Sequence, residues 1–131
     1  MNTWNHKDEW RKRGKAFLVT ISHHLVGPSP DEPYESLNRW AVYAYLYSTH
    51  RLFGQFSGSD MWQRAATDMP LHGGPSLLQW HRDDDGKPTS IQVGADYSHL
   101  YDDRFCNYET AEDAQEVFAD AQRLVEYLAR P

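Results

Sequence analysis

Arg39–Tyr47, RWAVYAYLY, alternates residue by residue: Trp40, Val42, Ala44 and Leu46 point one way, Tyr43, Tyr45 and Tyr47 the other. That period of two predicts a β-strand with one aliphatic and one tyrosyl face. A small domain buries one side of such a sheet beneath helices, so the aliphatic face is expected to meet a helix. The tyrosyl face is then left for other uses.

Working outward, Ala16–Ser22 (AFLVTIS) sets Phe17, Val19 and Ile21 against Leu18, Thr20 and Ser22, and predicts a strand. His23 and His24 follow it and would point to opposite faces. The segment LVGPSPDEPYES, residues 25–36, carries three prolines and a glycine and reads as a long connection. Before all of these, Asn5 can cap a short helix running through Trp10 to Arg13, with Gly14 at its end; residues 1–15 read as a basic helix or arm.

On the far side, Ser57 to Asp60 fits a capping pattern for a helix carrying Met61, Ala65 and Met69 on one stripe and stopping at Pro70. Ser76–Arg82 and Thr89–Tyr97 read as two strands joined by DDDGKP, whose Asp-Gly pair signals a hairpin. Their polar members Gln79, His81, Ser90, Gln92 and Asp96 could share the tyrosyl face. Thr110, with Asp113 three residues on, begins the last helix, whose apolar members Ala114, Val117, Phe118, Ala121, Leu124, Val125 and Leu128 recur at helical spacing. The expected fold is α+β: one domain over 1–131, an antiparallel four-stranded sheet with helices packed on one face, in the order (α)ββαββα.

Composition narrows the function. A single cysteine, Cys106, allows neither an internal disulfide nor a Cys-rich zinc site, which fits a reducing cytoplasm; it reads as a packing residue. No apolar run is long enough to span a bilayer, and MNTWNHKDEW is not an apolar leader. Of the net charge of −6, residues 83–131 hold twelve acids against four Lys/Arg, whereas residues 1–15 hold five Lys/Arg against two acids. A surface this acidic repels phosphate backbones, so nucleic acid is an unlikely partner. Five Trp and eight Tyr exceed what a small core needs and point to a binding surface.

Three candidate sites follow. The first is a partner-binding surface of Tyr43, Tyr45 and Tyr47 with the acidic helix residues Glu112, Glu116 and Asp120. The second is a carboxylate–imidazole set, Asp96, His99 and Asp103, which His72 could complete around a divalent ion, making His72, Asp96 and His99 the catalytic candidates of a small metal-assisted hydrolase. The third is a small-molecule sponge using the polar and tyrosyl sheet face as its pocket. The loop PLHGGP could also turn backbone N–H groups toward an anion or carbonyl oxygen. Walker, Rossmann, RNA-binding and G-x-S-x-G patterns are absent, and no cofactor is expected.

PLHGGPSLL, VGADYSHLYDDRF and EDAQEVFADAQRLVEYL, with EWRKRGK and RWAVYAY, resemble small proteins recurring in phage and prophage genomes. The resemblance spans most of the chain. It implies a mobile-element context and brings no site residue with it. The leading expectation is a non-enzymatic binding protein in the host cytoplasm that inhibits a host defence system by masking a host protein or complex. Homo-oligomerisation is left open.

Overall fold

The computed structural model describes residues 4–26, 38–97, 105 and 107–131. Five strands follow the chain: β1 (Trp4–Gly14), β2 (Phe17–Val26), β3 (Asn38–Tyr47), β4 (Leu77–Arg82) and β5 (Pro88–Asp96). Between β3 and β4 lie a 3-10 turn, Phe53–Gln55, and the short helix α1, Arg64–Thr67; the chain closes with α2, Gln115–Leu128. The strands form one sheet in the order β1-β2-β3-β5-β4, every neighbouring pair antiparallel. The α+β class is therefore as expected, but the sheet has five strands and the order is βββαββα.

The extra strand is the basic segment read as a helix or arm. Asp8, Trp10 and Lys12 stand opposite His23, Ile21 and Val19 of β2. Trp10 stacks on Trp40 at 5.8 Å and meets Phe118 edge-on at 5.1 Å, which anchors the strand to the core layer. The dense charge that mimics a solvated helix suits an edge strand, where it discourages pairing with other chains. Gly14 pairs with Phe17 across a two-residue turn rather than ending a helix. A Cβ at Gly14 would come within 2.1 Å of the Phe17 ring, so the position requires glycine for close approach.

The helix expected from Ser57 or Ser59 to Met69 shrinks to the four residues of α1. Its amino-terminal half is claimed by side chain to backbone bonds. Gln63 Oε1 accepts the Ser57 N–H (2.9 Å), Gln63 Nε2 donates to the carbonyls of Asp60 (2.7 Å) and Ser57 (3.0 Å), and Asp60 Oδ1 accepts the Trp62 N–H (2.9 Å). In α2 the expected cap bond is present, Asp113 N–H to Thr110 Oγ1 at 3.2 Å, although Thr110–Ala114 forms a turn and the regular helix begins at Gln115.

The core lies between the sheet and α2. Phe17, Val19, Ile21, Trp40, Val42, Ala44, Leu46, Ile91 and Val93 meet Val117, Ala121, Leu124 and Leu128, all buried. Burying a Val or Leu fully contributes roughly 1.5–3 kcal/mol relative to exposure, so this layer dominates the hydrophobic stabilisation. No basic residue stands in the last turn of α2; the loop after β3 supplies the cation. Arg51 donates to the carbonyls of Tyr127 (2.8 Å) and Arg130 (2.6 Å). The buried His50 bridges, its Nδ1 accepting the Leu52 N–H (3.1 Å) and its Nε2 donating to the Leu128 carbonyl (2.9 Å). Among the described residues no helix is long and apolar enough to cross a membrane.

Candidate functional site on the open sheet face

α2 covers one face of the sheet. On the other, strand register builds rows of side chains. Glu9, Ser22, Ala41 and Asp96 form one; Arg11, Thr20, Tyr43, Gly94 and Leu77 the next; Arg13, Leu18, Tyr45, Gln92 and Gln79 a third; Tyr47, Ser90 and His81 a fourth. Tyr43, Tyr45 and Tyr47 thus run down the middle strand of the sheet, sharing their face with His81, Gln92 and Asp96. His23 and His24 do part as alternation requires: His23 stacks on Trp40 at 4.3 Å within the core layer, and His24 faces the tyrosines.

A recess of about 540 Å³ lies on this face, lined by Glu9, Thr20, Ser22, His24, Tyr43, Tyr45 and Gln92. Its walls are set by contacts on each side. Gly94 leaves room for the Tyr43 ring: a Cβ there would lie 2.3 Å from Tyr43 Cδ1 and 2.5 Å from the Val42 carbonyl oxygen. Tyr45 stacks against His81 at 6.0 Å, and His81 Nε2 lies 2.8 Å from Gln92 Oε1. At the rim Glu9 is paired with Arg11 at 2.9 Å.

The electrostatics keep the phenols protonated. Burial raises the Tyr43 pKa above its ordinary value, and the charge of Asp96 and the neighbouring Tyr45 add to the shift. Burial also raises that of Tyr45, helped by Glu9 and Tyr47 and partly offset by Arg11. Two neutral phenols, the hydroxyls of Thr20 and Ser22, and the Gln92 amide therefore line one recess. That chemistry suits hydrogen bonding and stacking onto a bound group.

Of the remaining metal and catalytic candidates, the structure describes His72 and Asp96. His72 stacks on Tyr97 at 4.4 Å and meets Phe105 edge-on at 5.2 Å. Tyr97 is buried in the core layer and donates its hydroxyl to Asp120 at 2.6 Å. Asp96, one residue earlier, faces the tyrosines instead, and its N–H donates to Ser76 Oγ at 3.0 Å. Strand alternation thus puts His72 and Asp96 against opposite faces. His99, Asp103 and Cys106 lie outside the described residues. Among the described residues no three His, Cys, Asp or Glu side chains gather as metal ligands. In the PLHGGP loop the Gly74 N–H is used internally, donating to the Leu71 carbonyl at 3.1 Å.

The acidic candidates sit on the helix side, away from the tyrosine row. Glu116 accepts the Tyr108 hydroxyl at 2.7 Å, Asp120 is paired with Arg123 as well as with Tyr97, and Glu112 is exposed in the turn before α2. Much of the aromatic surplus is structural. Trp10 and Trp40 belong to the core layer, and Trp80 donates to the Gly58 carbonyl at 2.8 Å; among the described residues Trp62, 65 % exposed, is the large hydrophobic left in solvent. Sequence reading missed Glu9, Thr20, Ser22 and His24 as recess residues. The period-two polar face of β2 carried the signal for three of them, whereas Glu9 was hidden by the charge density of β1. No protein-family model, curated protein or solved structure matches the chain.

Proposed function

We propose that the chain is a non-enzymatic binding protein whose contact surface is the tyrosine row on the open sheet face. The observation that carries this reading is the recess of about 540 Å³ walled by Tyr43 and Tyr45. Side chains held on neighbouring strands lose little freedom on binding, and tyrosine offers wide contact area with a polar tip. The resemblance to phage and prophage proteins favours a host protein as partner and a host defence component as the one masked. Masking is steric at the tyrosines, and the net charge of −6 adds long-range electrostatic selection of the partner.

Capture from host lysate tests it, comparing wild type with a folded Tyr43→Ala, Tyr45→Ala variant. Loss of an anchoring tyrosine costs about 2 kcal/mol or more, so the captured partner should fall by roughly thirtyfold. A partner retained equally by both proteins would refute the surface assignment. The volume of the recess also lies in the range of about 300–1,000 Å³ usual for small ligands, which favours sequestration of a small molecule as a second reading. A tyrosine-dependent rise in melting temperature with a small-molecule panel, without protein capture, selects that reading.

A further inference from the structure

We propose that a second recess, at the end of the sheet where the β1–β2 turn meets the carboxyl end of α2, is a binding site for a small polyphosphate ligand of nucleotide size. It encloses about 640 Å³, and Arg13, Lys15, Arg51 and Arg130 line it with no Asp or Glu among the lining residues. In a chain of net charge −6 that concentration of one sign demands a reason. Three arginines elsewhere are neutralised, Arg11 by Glu9, Arg64 by Asp68 and Arg123 by Asp120, while Arg82 donates to the Gly86 carbonyl. Among the described residues none of the four recess cations has such a carboxylate partner.

Fold stability accounts for only part of the cluster. Arg51 caps the last carbonyls of α2, using Nε and Nη2 and leaving further N–H groups for another acceptor. Arg130 lies over the Tyr127 ring at 5.1 Å. Among the described residues the Lys15 ammonium has no hydrogen-bond or ion-pair partner, and it sits in a turn whose next residue, Ala16, is held at φ 63. A left-handed alanine costs about 1–2 kcal/mol, and strain of this kind gathers where a side chain must be aimed. The Ala16 carbonyl is pinned by the Tyr47 N–H at 3.0 Å, which fixes the turn against β3.

The floor is largely apolar. The buried Phe17 ring is wedged over Gly14 and lies edge-on to His50 at 5.8 Å, beside the buried Leu128. Guanidinium and ammonium groups around an apolar floor match a ligand with charged phosphates and a planar apolar part. This recess shares no lining residue with the tyrosine-lined one, although β1 and β2 contribute to both, and it stands independently of the function proposed there.

Calorimetric titration of the full chain with ATP, pyrophosphate, adenosine and a single-stranded oligonucleotide tests the assignment. The comparison variant is Lys15→Gln, Arg130→Gln, which leaves the Arg51 cap in place; its unchanged melting temperature verifies folding. Saturable ATP binding, at least tenfold weaker in the variant and weakened by salt, is expected, with pyrophosphate weaker than ATP and adenosine weaker still. Pyrophosphate binding as tightly as ATP would remove the planar group from the assignment and leave a polyphosphate site. No saturable ATP binding, equal binding by the variant, or adenosine equal to ATP overturns the proposal. Oligonucleotide binding tighter than ATP overturns it in favour of a nucleic-acid surface.

Discussion

Replacing Gly94 with alanine tests how the open face is built, because it adds one methyl group where the structure has no room. Gly94 pairs with Tyr43 in the interior of the sheet, and the new Cβ would stand 2.3 Å from Tyr43 Cδ1, 2.5 Å from the Val42 carbonyl oxygen and 3.0 Å from Tyr43 Cα. A ring can swing aside; a carbonyl in the β3–β5 ladder cannot move without loosening its neighbours. Overpacking costs roughly 1–3 kcal/mol, and the backbone contact puts this case at about 2–3 kcal/mol. With an unfolding entropy of about 2.1 cal/mol/K per residue, that becomes a fall in melting temperature of about 7–11 °C. The assay is urea and thermal unfolding of the variant beside Gly54→Ala, where nothing lies within 4 Å of the added Cβ. The control should stay within about 0.5 kcal/mol of wild type. Adding Tyr43→Ala removes the ring contact and leaves the carbonyl contact, so a double-mutant cycle should show coupling of about 1 kcal/mol. A Gly94→Ala protein as stable as the Gly54→Ala control would refute the close approach, and with it the placement of the Tyr43 wall.

Three further outcomes are expected. His50→Leu leaves the Leu52 N–H and Leu128 carbonyl without their bridge, and should cost about 2–4 kcal/mol in urea unfolding; an unchanged midpoint would show that the bridge is dispensable. Tyr97→Phe deletes the 2.6 Å bond to Asp120 and should cost about 1–2 kcal/mol with no change in secondary structure by circular dichroism, whereas a neutral substitution would assign Asp120 wholly to Arg123. Tyr43 and Tyr45 keep their protons in the folded chain above pH 10.0, where the unfolded chain releases them. Their contribution to stability is therefore complete below that pH and declines as pH rises through the folded-state values. In a phenolate absorbance titration, Tyr43→Phe and Tyr45→Phe should each remove a late-titrating group; removal of an ordinary one would contradict the burial of these rings.

Legibility followed the range of the interactions. The RWAVYAYLY alternation was enough to separate Trp40, Val42, Ala44 and Leu46 from the tyrosines, because side-chain direction in a strand is a local property. The same rule parted His23 from His24 and put Gln92 with the tyrosines. It failed at β1, where charged residues at six of the eleven positions mask the anchoring Trp10, and at α1, where Gln63 and Asp60 bond to the backbone that a capping pattern offered to a helix. Nothing local announces that β4 stands at the edge while β5 joins β3, since that pairing is sequence-distant.

The sequence by itself therefore determined the elements' faces, the amphipathic last helix, the hairpin at Asp-Gly and the α+β class. Only the tertiary structure decided which faces meet. It put His72 with Tyr97 instead of Asp96, tied Asp120 and Glu116 to tyrosine hydroxyls, and assembled a tyrosine-lined recess from β1, β2, β3 and β5. It also brought Lys15, Arg51 and Arg130 from three distant parts of the chain to one apolar floor. Periodicity fixes direction within an element, but neighbours across elements are chosen by the packing that buries the most apolar surface and leaves the fewest polar groups unpaired.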